Sequence, residues 1–326
     1  MRPESPASGT VVLRLTGQMK AFRFSLLGGC AMRSWIAVAL AVVASTIGAG
    51  PVTAAPAAGK ALVVLGDSFS ANQWVVDSQA VECRHGETSW PTRLSRLMGV
   101  ADSADYLDMS CPGAALDTPP SHTAAWEAKQ ADEKGAFGPR TKVVALQFGL
   151  NDRWGGNEAT LWYALQQCVL DLVRGCGADA AVPSRSMDSS DITPERYAER
   201  LRNVITYVKY YAPNARIVLV GYPELFRAGQ DAVCFSAFGV LRFVQPRGQA
   251  AIDSVNRLDQ AQRAAARLLG VEFFDARAAT AGHGLCSEQS WINDYQDPRD
   301  PGAIPFHPSA RSDEVVANGI HAQAGR

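Results

Sequence analysis

The sequence predicts an α/β domain in which a parallel sheet is covered by helices on both faces. Three observations carry that expectation. Short apolar runs rich in β-branched residues recur along the chain. Segments with helical periodicity separate them. The residues best suited to chemistry stand just past the ends of the first three runs, where ligands bind in sheets of this kind.

The runs at 61–66, 106–109, 142–148, 216–221 and 271–274 read as strands. Each is nearly continuous in apolar residues rather than alternating, as expected of a strand buried on both faces. Between them, 88–98 reads as a helix, and another follows Asn157 through Leu161 and Leu165 to Leu172. The clearest helix is 194–211. Thr193 is its expected N-cap and Pro194 its first residue, with Ile192 and Tyr197 placed to pack across the cap. Tyr197, Leu201, Val204, Ile205, Val208 and Tyr211 then share one face, and Pro213 closes the segment. Residues 247–269 repeat the pattern with Gly270 as the expected C-terminal cap. A last helix begins near Ser309. The small polar stretch 175–191 reads as a loop insertion. The region 227–249 reads as an irregular excursion that walls the cleft.

The N-terminus has a different character. Residues 34–48 are uncharged and mostly apolar, with Lys20 and Arg33 before them and small residues at 52–58. That order of segments is expected of a secretory signal, so 1–58 reads as a signal-peptide region and 59–326 as a single domain. Met32-Arg33 would itself be a conventional start, which leaves 1–31 open to being an upstream extension. A membrane span needs about 20 apolar residues, so no stable membrane anchor is expected.

The chain holds 31 basic and 32 acidic side chains, with no basic stripe, which argues against nucleic acid as a partner. Cysteines 83, 111, 168, 176, 234 and 286 are an even set behind a leader, which points to disulfides. The sequential pairing Cys83–Cys111, Cys168–Cys176 and Cys234–Cys286 is favoured, since each bond would staple a local excursion. Closing a loop of about 15 residues is worth roughly 3 kcal/mol in the chain-entropy model. No C-x-x-C pair or close Cys/His cluster suggests zinc, and no metal or organic cofactor is expected.

Four positions combine into a candidate site. Ser68, in Gly66-Asp67-Ser68, stands at a corner after the first strand. A lone serine hydroxyl is a poor nucleophile and needs a base and an oxyanion site. Gly113 could present a backbone N–H to an incoming oxygen with no side chain in the way. Asn151, in Gly149-Leu150-Asn151-Asp152, could aim an amide N–H at the same oxygen. His307, just before the last helix, could turn back to take the proton of Ser68. Alone, each has a plainer explanation: a turn, a second turn, a helix cap, a structural histidine. His85, His122, His283 and His321 keep the plain one.

Together, in this order, the four blocks resemble those of the SGNH (GDSL-type) hydrolase family. Their arrangement with three local disulfides looks like its secreted actinobacterial lipase and esterase branch. The resemblance runs from about Leu62 to the C-terminus. It implies a flavodoxin-like three-layer α/β/α sandwich with a central parallel sheet. It also implies Ser68 as nucleophile and His307 as base. The Ser68 and Gly113 backbone N–H groups and the Asn151 amide would form the oxyanion hole, and Asp67 would hold the corner. One departure concerns the third catalytic group. Many members carry an aspartate three residues before the histidine, and here Ile304 stands there. The main-chain carbonyl of Ile304 is therefore the favoured orienting group, with Asp297 or Asp300 as alternatives.

The expected protein is a secreted, monomeric serine esterase or lipase acting on a small-molecule or lipid ester. Leu150, Trp154, Phe235, Phe238, Leu241 and Phe243 lean towards an acyl-chain cleft. A carbohydrate O-acetyl esterase with the same site is the nearest alternative. A non-catalytic binding or cell-wall protein on the same fold is a more distant one.

Overall fold

A computed structural model describes residues 58–73, 83–120, 122–176, 188–300 and 303–325. The expected leader, Ala58 apart, and most of the 175–191 insertion lie outside them.

Five strands form one sheet: β1 (Leu62–Gly66), β2 (Tyr106–Asp108), β3 (Val143–Gln147), β4 (Arg216–Val220) and β7 (Glu272–Phe274). Their order is β2-β1-β3-β4-β7, and every neighbouring pair is parallel. This is the flavodoxin-like order, whose direction reverses beside β1 and opens a crevice at its carboxyl end. Alternate residues of each strand serve different layers. Val63, Leu65, Val144, Leu146 and Leu219 face one core, and Leu62, Val64, Val143, Ala145 and Val218 face the other.

Helices α2 (Trp90–Leu97) and α8 (Ala310–Ala324) supply Trp90, Leu94, Val316 and Ile320 to the second core. On the first lie α3 (Ala124–Glu133), α4 (Leu161–Leu170), α5 (Pro194–Tyr211) and α6 (Gln249–Leu269). Thr193 caps α5 by accepting from the Arg196 N–H, and Gly270 closes α6 in the left-handed conformation, both as the sequence predicts. Among the described residues, no helix is long and apolar enough to cross a membrane.

Several elements depart from the expectations, α3 among them, since no helix is expected at 124–133. The excursion at 227–249 contains an antiparallel hairpin, β5 (Val233–Ala237) and β6 (Leu241–Gln245). Ser68 itself opens a four-residue helix, α1 (Ser68–Ala71), and α7 (Ala276–Ala279) is equally short. The cysteines pair 83 with 111, 168 with 176 and 234 with 286. His122 lies beside the first of these pairs, but there the sulfurs are bonded to each other.

Candidate active site

β1 is buried along its whole length and delivers the chain to Gly66, where it turns. A Cβ on Gly66 would stand 2.5 Å from Ser70 Oγ, so the corner requires glycine. Asp67 then caps α1, its carboxyl accepting from the Phe69 N–H at 2.9 Å and from the Tyr222 hydroxyl at 2.6 Å. Burial raises the Asp67 carboxyl to about 7, against the pull of those two bonds. Beneath the corner, Glu127 of α3 accepts the Gly66 N–H at 2.8 Å, and burial pushes its carboxyl well above the usual range. Gln147, ending β3, accepts from Ser70 Oγ and Trp90 Nε1 and donates to the Gly221 carbonyl, at 2.9, 3.0 and 2.9 Å. One buried amide thus ties α1, α2 and the end of β4 together.

Ser68 and His307 are 239 residues apart in sequence, yet His307 Nε2 lies 2.7 Å from Ser68 Oγ. Two lashings bring the histidine there. Its backbone carbonyl accepts from the Asn293 N–H at 2.8 Å, and Asn293 Nδ2 donates to the Pro308 carbonyl at 3.0 Å. Asn72, the left-handed cap of α1, donates to the same carbonyl at 2.8 Å and to Asp313 of α8 at 2.6 Å. The histidine loop is therefore fastened to the helix that carries the serine.

The other imidazole nitrogen, Nδ1, lies 2.9 Å from the carbonyl oxygen of Pro305. A carbonyl can only accept, so Nδ1 carries the proton and Nε2 presents a lone pair to the serine. This corrects the expectation of Ile304. Phe306 takes a left-handed φ of 63°, which turns the Pro305 carbonyl towards the ring. The Ile304 carbonyl is left to the backbone N–H of His307 at 3.3 Å. Nor do the aspartates stand behind the ring. Asp297 chelates the guanidinium of Arg299, with contacts from Nε at 2.9 and 3.0 Å. Asp300 enters the same turn through its backbone N–H, 3.2 Å from the Asp297 carbonyl.

The imidazole is 2% exposed, with Phe69 and Trp162 against it at ring distances of 4.3 and 5.3 Å. Burial lowers it to about 4, and the bond to Pro305 offsets only part of that. The ring is consequently neutral at ordinary pH, the state a base requires.

Gly113 and Asn151 line the same cavity as Ser68 and His307. Gly113 has a φ of 85°, which suits a residue without a side chain. Asn151 gives one amide hydrogen to the Ala114 carbonyl at 3.1 Å, which fixes the group and leaves its second hydrogen. Neither Asn151 nor Asp152 caps the following helix, since Thr160 does. Asp152 instead accepts from the N–H groups of Leu116 and Asp117 and from Thr118 Oγ1, at 2.9, 3.3 and 3.1 Å, with Arg200 Nη1 at 3.5 Å. That carboxylate fastens the Gly113 loop to the Asn151 loop, and burial raises it to about 6. An alcohol so placed can pass its proton to Nε2.

Three contributors escape a motif search. Tyr222 joins Asp67 to the Leu150 N–H, which donates to its hydroxyl at 3.1 Å. Its position just past β4 was the available signal. Glu127 shares a face with Ala124, Ala128 and Ala131, and a carboxylate in a buried helical stripe is itself a signal. Asn72 offered none beyond its residue type.

The cavity measures about 850 Å³. Phe235, Phe238 and Phe243 line it, together with Trp162, Phe306 and Leu170. Three residues expected there are elsewhere: Leu150 and Trp154 are core side chains, each 1% exposed. Leu241 sits on the surface of the hairpin.

The model of the GDSL-like Lipase/Acylhydrolase family matches residues 64–314. "Lipase 1" of Streptomyces coelicolor is 28% identical over 260 residues, spanning 78% of this chain and 84% of that protein. Among solved structures, phospholipase A1 from Streptomyces albidoflavus superposes with a TM-score of 0.54 at 22% identity, covering 82% of this chain and 99% of its own. The extracellular lipase of Streptomyces rimosus gives 0.52 at 19% identity, covering 81% and 99%. The chain belongs to the GDSL-like lipase/acylhydrolase family and is an ester-hydrolysing enzyme.

Proposed function

We propose that the chain is a secreted esterase or lipase that works through a Ser68–His307 dyad. His307 Nε2 takes the proton as Ser68 Oγ attacks the ester carbonyl. The tetrahedral oxyanion is held by the backbone N–H groups of Ser68 and Gly113 and by Asn151 Nδ2. His307 returns its proton to the leaving alcohol, giving an acyl-Ser68. Water activated by the same nitrogen then hydrolyses that ester and frees the serine. The Pro305 carbonyl holds the tautomer throughout, the work a carboxylate does in a triad. One observation carries the proposal: a buried serine–imidazole contact of 2.7 Å, with the far nitrogen already bound to an acceptor.

The aromatic cavity favours an acyl chain over an acetylated sugar, whose hydroxyls would need polar partners. Export is supported by the leader pattern and by three disulfides, which persist in oxidising compartments. The test is hydrolysis across a ladder of p-nitrophenyl esters from acetyl to palmitoyl, with Ser68→Ala as control. Turnover that rises beyond acetyl supports the proposal. A sharp acetyl preference favours the carbohydrate ester, and wild-type turnover by Ser68→Ala rejects the mechanism.

A further inference from the structure

The mouth of the cavity is edged by two apolar lips. One is the end of α4 and the loop after it, where Leu170 and Leu172 line the cavity and Val173 points outward. The other is the tip of the β5–β6 hairpin, where Phe238 lines the cavity and Val240 and Leu241 stand outside it. Val173 and Val240 are each 81% exposed, which is far from the usual place of a valine.

These lips are built to stay exposed. The Cys168–Cys176 disulfide closes the loop that carries Leu170, Leu172 and Val173. The Cys234–Cys286 disulfide anchors the foot of the hairpin. Between them, Gln245 at the end of β6 donates to the carbonyls of Cys168 and Asp171 at 3.3 and 2.7 Å. The Phe238 N–H donates to the Tyr295 carbonyl at 2.9 Å, and their rings meet edge to face at 6.0 Å. A floppy loop could fold its apolar side chains away from water, but a disulfide on each lip and the Gln245 bonds between them restrain that rearrangement. Exposed apolar side chains gathered on two segments that line one cavity mark an interaction site.

We propose that the two lips dock the enzyme on the surface of an aggregated, uncharged or zwitterionic lipid, with Val173 and Val240 entering it. This rests on the ester-hydrolase proposal. Both lips contribute lining to the cavity that holds Ser68, so a surface made of substrate molecules would be gripped and fed into the cavity by one contact. A protein seated in the same place would close the cavity. The lip segments are also nearly neutral: 170–174 holds one acid, Asp171, and one base, Arg174, and Arg242 of β6 turns aside to the Cys286 carbonyl at 2.8 Å. Attraction to an anionic surface is therefore not the driving force, and binding should not weaken with salt.

The test measures flotation of purified Ser68→Ala protein with phosphatidylcholine vesicles, in 0.1 and 0.5 M NaCl, with and without Val173→Asp and Val240→Asp. Both valines lie outside the cavity lining, and circular dichroism checks the fold. The expected result is vesicle binding that is equal at the two salt concentrations and at least tenfold weaker in the double variant. The same double substitution in the Ser68 enzyme should leave turnover of soluble p-nitrophenyl acetate within twofold while sharply reducing hydrolysis of vesicle lipid. Absence of vesicle binding, or unchanged binding by the double variant, overturns the proposal. So does self-association in centrifugation that the double variant abolishes, since the lips would then join two copies. Failure of the Ser68 enzyme to hydrolyse the soluble ester would instead reject the hydrolase reading.

Discussion

Tyr222→Phe removes one oxygen atom and tests how the site is held together. The hydroxyl donates to Asp67 at 2.6 Å and accepts from the Leu150 N–H at 3.1 Å, and both partners are buried. Leaving the Leu150 N–H without an acceptor costs about 1–3 kcal/mol, and losing the bond to the Asp67 carboxyl adds a similar amount. A total of about 2–6 kcal/mol is therefore expected. The loss should depend on pH. Burial holds the Asp67 carboxyl at about 7 even with the phenol pulling it down. Such a raised group contributes stability that is complete below its unfolded value, near 4, and lost as pH climbs through about 7. Without the phenol that loss extends to higher pH, so the variant should be further below wild type at pH 8 than at pH 5. Because Tyr222 joins the serine corner to the Asn151 loop, kcat should fall roughly tenfold to a hundredfold with KM little changed. Urea unfolding followed by tryptophan fluorescence at the two pH values, with kcat on a soluble ester, gives all three quantities. Stability within 0.5 kcal/mol of wild type at pH 8 together with kcat within about twofold would refute the reasoning.

Asn151→Ala should cut kcat by about a hundredfold or more, the usual loss for one oxyanion donor, read by steady-state kinetics. Asp297→Asn and Asp300→Asn should leave kcat within a few-fold, because the Pro305 carbonyl holds Nδ1; a loss of several orders of magnitude in either would restore a triad. Burial lowers His307 from 6.5 to about 4, so kcat/KM should stay level down to about pH 5 and fall with a midpoint near 4. A midpoint at 6 to 7 would show the ring to be better solvated than its surroundings indicate. The same lowered group contributes stability that is present above about 6.5 and lost as pH falls through 4, on the order of 3 kcal/mol. In His307→Gln that part of the acid destabilisation should vanish from urea unfolding curves.

The elements most legible in the sequence are those set by local chemistry. Thr193-Pro194 and Gly270 mark helix ends because a cap side chain, a fixed φ and a left-handed turn act over a few residues. The β5–β6 hairpin was not legible, because outward residues such as Leu241, Val244 and Val240 are apolar and hide the alternation of a half-exposed strand. Ser68, Gly113, Asn151 and His307 could be singled out because each belongs to a block whose residue types limit what it can do. The orienting carbonyl could not be placed, since every residue has one and only the left-handed turn at Phe306 selects that of Pro305. Nearness to a motif places Leu150 and Trp154 at the cleft in the sequence. Their side chains point into the core, a choice that depends on how the loop after β3 leaves the sheet.

The central claim is that Ser68 becomes nucleophilic because His307 accepts its proton. Its most direct test is labelling with a fluorophosphonate at pH 7, followed by peptide mapping of the adduct. A dyad predicts one adduct, on Ser68, whose formation slows at least a hundredfold in His307→Ala. Labelling at another residue, or labelling of Ser68 at an unchanged rate without the imidazole, would contradict it.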